Sequence, residues 1–108
     1  MEIGGEKERK RFLLEIEQLI RDVNRKIIHE RIPKITQSGI LPFATTVARM
    51  RARYLEAAFR LSALDQDEPI DEQDLKELRR HRELYEEARS AFEALSRAIE
   101  QGYLDIEE

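Results

Sequence analysis

Residues 71–103 read DEQDLKELRRHRELYEEARSAFEALSRAIEQGY, and this stretch decides the fold class. Leu78, His81, Tyr85, Ala88, Phe92, Leu95 and Ile99 recur at spacings of 3, 4, 3, 4, 3 and 4. A helix turns once in 3.6 residues, so these side chains line one face, and a strict seven-residue repeat favours left-handed coiling against a neighbour. The ends are marked as clearly. Asp71 is a good N-cap, and Asp74 sits in the first turn, where a carboxylate meets the positive end of the helix. Ile70 and Leu75 occupy the two positions of a hydrophobic staple. Gly102 stands where a helix ends in the left-handed region, and Tyr103 follows to cover the last turn. The pattern predicts a helix over about 72–101 and a frayed tail at 104–108.

Before this helix comes an acidic turn at 65–70, and before that a more apolar helix over about 43–64. Its main stripe is Phe43, Val47, Met50, Tyr54, Ala57, Ala58 and Leu61. A second stripe lies beside it: Ala44, Ala48, Ala52, Leu55 and Phe59. Together they cover more than half of the circumference, and one neighbour cannot satisfy so wide a face. Thr45, Arg49, Arg53, Glu56 and Arg60 form the remaining polar ridge.

The linker at 32–42 is apolar, with Ile32, Ile35, Ile40 and Leu41, and it predicts packing rather than solvation. Pro33 disfavours helix before it, and Pro42 fits the first position of the following helix. Toward the N-terminus, residues 6–31 read as one amphipathic helix. Phe12, Leu13, Ile16, Leu19, Ile20, Val23 and Ile27 make a stripe about a third of the helix wide, while Leu14 and Ile28 fall outside it and point to a second contact.

The resulting expectation is a single domain over residues 1–108. It is an all-α, antiparallel three-helix bundle with coiled-coil-like packing, assembling into a dimeric helical bundle. Composition agrees. Charged residues make up 39% of the chain, against the roughly 25% of an average soluble protein, and 4 Gly and 3 Pro are too few breakers for a many-turned β fold. There is no Cys, which excludes disulfides, thiolate metal sites and cysteine nucleophiles. No apolar run reaches the roughly 18 residues of a membrane span, and Glu15 interrupts Phe12-Leu13-Leu14 before a signal peptide could form. A cytoplasmic protein with no membrane partner is expected.

Charge is uneven. Residues 1–64 carry 13 basic and 8 acidic side chains, net +5, and residues 65–108 carry 6 and 15, net −9. Acidic and basic helices can pair on this basis. Alternatively, Lys7, Arg9, Lys10 and Arg11, or the ridge Arg49, Arg53 and Arg60, contact nucleic acid. Glu6 and Glu8 interrupt the first cluster, and no stacking aromatic accompanies the ridge, so nucleic acid is the less favoured partner.

The motifs of catalysis are missing. His29 and Glu30 are followed by Pro33 where a second zinc-binding His would stand. Neither His completes a Glu-x-x-His pair. Glu77 and His81 lie four apart, but two ligands make a poor metal site. The expectation is no enzyme activity, no cofactor and no metal. Two positions break the local pattern. Arg51 falls within the apolar arc of the second helix, and His81 sits on the seam of the third; both are candidates for buried polar groups, Arg51 as a stem that packs while its head reaches the surface or as a buried ion pair. The function expected is a helical protein–protein interaction module (an adaptor, scaffold or accessory subunit). It would self-associate as a homodimer through Ala48, Ala52, Leu55 and Phe59, with Leu14 and Ile28 as further contacts. Another protein partner, or a small ligand under the 32–42 linker, is the alternative.

Overall fold

The structure is a computed structural model that describes residues 5–32, 34–63 and 69–107. Pro33, residues 64–68 with most of the acidic turn, and the tail residue Glu108 lie outside the described residues. Three helices account for 84% of what is described, which makes the chain all-α. They are α1 (Glu6–Arg31), α2 (Gln37–Ser62) and α3 (Glu72–Glu100). Two three-residue strands accompany them, β1 (Lys34–Thr36) and β2 (Asp105–Glu107). The described residues fall into two compact units, one drawn from Met1–Thr36 with Ser96–Glu108, the other from Gln37–Leu95.

The first unit is closed by the tail. β1 and β2 pair in parallel, with Lys34 opposite Asp105, Ile35 opposite Ile106 and Thr36 opposite Glu107. A two-stranded ladder of this length is marginal by itself. Two buried side chains support it, Ile35 at 8% exposure and Leu104 at 5%. The Arg25 side chain on α1 adds two more ties. Its Nη1 donates to the Gly102 carbonyl at 2.8 Å and its Nη2 to Asp105 Oδ1 at 2.7 Å. Residues 104–107 are therefore held rather than frayed: Leu104 is buried and Asp105–Glu107 pair with Lys34–Thr36.

Gly102 adopts φ +74° and ends α3 as a Schellman motif. The Tyr103 N–H donates to the Ala98 carbonyl at 2.9 Å and the Gly102 N–H to the Ile99 carbonyl at 3.0 Å. At the other end of α3, Asp71 Oδ1 accepts from the Gln73 N–H at 3.1 Å, as an N-cap should.

In the second unit α2 and α3 run antiparallel. Phe43 meets Phe92 edge to face at 5.4 Å, while Tyr54, further along α2, meets Tyr85, earlier on α3, at 6.1 Å. The residues of the main stripe of α2 and of the seam of α3 within this unit are all half-buried. One boundary differs from the sequence reading. α2 begins at Gln37, not at Phe43, and Pro42 lies inside it. A proline at this depth removes only the N–H bond that would reach the Ser38 carbonyl, so the loss is confined to the first two turns. Just beyond, the Thr45 and Thr46 hydroxyls donate to the Leu41 and Pro42 carbonyls at 2.8 and 3.0 Å. Of the expected linker, residues 37–42 are thus helix and Lys34–Thr36 strand.

Candidate interaction surface

The best-formed feature of the second unit is the outer apolar face of α2. Ala48, Ala52, Leu55 and Phe59 are all exposed, Leu55 at 50% and Phe59 at 74%. Leu41, read from the sequence as linker, extends the same stripe seven residues ahead of Ala48 and is also exposed. The 41, 48, 55 spacing carries that signal, and Pro42, a residue favoured at a helix start, masks it. This stripe stands about 135° around the helix from the seam that packs on α3. The two faces of α2 thus have different fates within one unit.

Arg51 separates them, and its placement corrects one of the two expectations for it. It is exposed, and no charged or polar residue among those described is buried. Its Nε donates to Tyr85 Oη at 3.2 Å, and its guanidinium lies 5.3 Å from the Tyr85 ring centroid. No carboxylate of α3 receives it. The stem runs along the apolar arc and the head stacks on an aromatic face that is already half-open to water, so no buried charge needs neutralising. Arg89 approaches the same ring at 6.0 Å from its centroid, held by Glu86 at 2.8 Å and Glu93 at 3.2 Å. The hydrogen bond to Glu86 raises its pKa above the ordinary guanidinium value, with the two carboxylate charges adding to it.

His81 is likewise not fully buried. It is half-buried, with Nδ1 shielded and without a hydrogen-bond partner. It lines a cleft of about 100 Å³ with Ala57, Arg60, Leu61, Asp74 and Glu77. Among the described residues no group of three or more His, Asp or Glu is arranged to hold a metal ion. Arg49, Arg53 and Arg60 are all exposed, and Arg60 is paired with Glu56 at 2.6 Å within its own helix, which halves the charge that end of the ridge presents.

In the first unit α1 has two sides. Its apolar stripe is solvent-exposed, with Phe12, Leu13, Leu19, Ile20, Val23 and Ile27 between 50 and 61%. On the opposite side, about 165° away, lie Leu14, Arg25, Ile28 and His29. Ile28 is half-buried and Leu14 is exposed. Arg25 and His29 from this side hold the tail: His29 Nδ1 lies 3.6 Å from Asp105 Oδ2, beside the Arg25 bond. The Arg25 hydrogen bond holds the Asp105 carboxyl below its ordinary pKa against the opposing effect of burial, and the charges of Arg25, His29 and Lys34 add to the lowering. The Arg25–Asp105 pair carried no sequence signal, since its members lie eighty residues apart.

No helix among the described residues is long and apolar enough to cross a membrane. Comparison with protein-family models, with curated proteins and with solved structures finds no match for this chain.

Proposed function

We propose that this chain is a non-enzymatic helical interaction module that self-associates through the outer face of α2. The observation that carries the reading is Phe59, exposed at 74% in line with Leu55, Ala52, Ala48 and Leu41 on a helix whose other apolar face already packs on α3. Leaving such a stripe in water forfeits its hydrophobic stabilisation, and a second copy presents the same stripe. A twofold axis between Ala48 and Ala52 brings small side chains together at the crossing, so the two helix axes approach closely. Leu55 of each copy then faces Thr45, and Phe59 faces Leu41. The interlocking of α2 and α3 side chains continues into a coiled-coil-like assembly, which acts as an adaptor, scaffold or accessory subunit.

Light scattering after size exclusion, over a range of concentrations, tests this. The expected wild-type particle is at least twice the 12.8 kDa chain mass. Phe59→Asp should lower that mass while far-UV circular dichroism keeps its helical signal. An unchanged mass with unchanged stability would overturn the interface. A low-salt gel shift with mixed-sequence DNA and RNA separates this reading from the Arg49, Arg53 and Arg60 ridge, because phosphate binding would show there and vanish with salt.

A further inference from the structure

The apolar stripe of α1 is a second surface, distinct from the α2 face and independent of the reading above. Leu13, Ile16, Ile20, Val23 and Ile27 follow one another at spacings of 3, 4, 3 and 4, a coiled-coil seam over two heptads. Phe12 and Leu19 widen it along one edge. The tail docks on the opposite side of the helix, and among the described residues Phe12, Leu13, Leu19, Ile20, Val23 and Ile27 of the stripe stay exposed. Six of its side chains are half-exposed or more, which leaves on the order of 600 Å² of contiguous apolar surface, above the few hundred that monomeric proteins usually show. Two such stripes face to face can bury up to about 1,200 Å², which reaches the lower bound for a specific, stable interface.

We propose that α1 pairs antiparallel with α1 of a second copy of this chain. The axis lies between Arg21 and Asp22. Ile20 then meets Val23 of the other copy, and Ile16 meets Ile27. Charge selects the orientation. Glu15 and Lys26 are eleven residues apart, three turns plus about 20°, so they occupy the same flank of the stripe. Antiparallel pairing sets Glu15 of each copy within two residue levels of Lys26 of the other, about 3 Å along the axis, and the twofold repeats the pair. A parallel, in-register pair would instead set Glu15 beside Glu17 and bring Lys26 toward Arg31, with like charges meeting on both sides. The mixed sign of the polar side, with Glu15, Glu17 and Asp22 among Arg21, Arg25 and Lys26, also suits a protein surface better than an anionic lipid one.

The absence of cysteine from the chain makes the test clean. Ile16→Cys and Ile27→Cys chains are prepared separately, then mixed and oxidised. The disulfide-linked pair should form in the mixture and not in either variant alone, because Ile16 lies level with Ile27 of the other copy and eleven residues from its own counterpart. Linkage in Ile16→Cys alone would mean a parallel pair and overturn the proposal. No linkage in the mixture would overturn it too, and would be the outcome if the stripe packs within its own chain. Ile20→Asp serves as the second arm: it should lower the solution mass at low concentration on its own and further in combination with Phe59→Asp. A lowered mass with Phe59→Asp and none with Ile20→Asp would remove the α1 contact and leave the α2 face standing.

Discussion

Arg25 on α1 and Asp105 on β2 are eighty residues apart in the chain and 2.7 Å apart in the structure. The same guanidinium also takes the carbonyl of Gly102, the residue that ends α3. One side chain thus ties the C-terminal end of α1, the cap of α3 and the closing strand. Arg25→Ala should leave the three helices intact and raise amide exchange a few-fold across residues 102–107. Unchanged protection there would mean that Ile35 and Leu104 hold the tail without it.

The Asp105 carboxyl has a pH signature. Its folded pKa is depressed, chiefly by the Arg25 hydrogen bond. A depressed carboxylate stabilises the fold above its unfolded pKa of about 3.9, and that stabilisation is lost as pH falls through the lower folded value. The difference in melting temperature between wild type and Asp105→Asn should therefore persist from neutral pH to about pH 4 and close below it. A difference that had already gone by about pH 5 would contradict the assignment.

Leu104, 5% exposed, is the most buried apolar residue described. Leu104→Ala removes three carbons from a buried side chain and should cost roughly 2–3 kcal/mol in urea denaturation. A cost under about 1 kcal/mol would place the stabilising contacts of this unit elsewhere.

Gly102 separates conformation from space. At φ +74° an added Cβ would meet nothing within 4 Å, so a side chain fits sterically. Gly102→Ala should still cost about 1 kcal/mol, because only the left-handed backbone is penalised. Gly102→Asn should cost less, since Asn tolerates that region better. Equal stability of all three chains, measured by thermal unfolding, would contradict a strain-based account.

The Glu15 and Lys26 pairs predict a rescue. Glu15→Lys alone should weaken association three- to tenfold at low salt, the weight of two exposed pairs turned repulsive. The double change Glu15→Lys with Lys26→Glu should restore it. Sedimentation equilibrium at low and high salt reads both, and the effect should shrink at high salt. A double variant as weak as the single one would argue against the antiparallel register.

Much of this was legible along the chain because it is local. The α3 seam from Leu78 to Ile99, the Asp71 cap, the Gly102 stop and the two stripes of α2 repeat over three to seven residues, the scale on which helical periodicity operates. Those signals mark three helices and which sides of them are apolar, though not the six residues by which α2 begins before Phe43. They did not settle what meets those sides. Strands of three residues are too short for alternation to show, so β1 and β2 stayed hidden in a linker and a tail. Pro42 signals a helix start in sequence, yet the helix passes through it at the cost of one hydrogen bond. Arg51 in an apolar arc is compatible with a carboxylate partner or with an aromatic one, and only the position of Tyr85 chose between them. The Arg25 clamp depends on two segments eighty residues apart meeting in space. Periodicity fixes the faces of a helix from its own sequence, while contacts between distant segments depend on how the chain closes, which the tertiary structure alone decides.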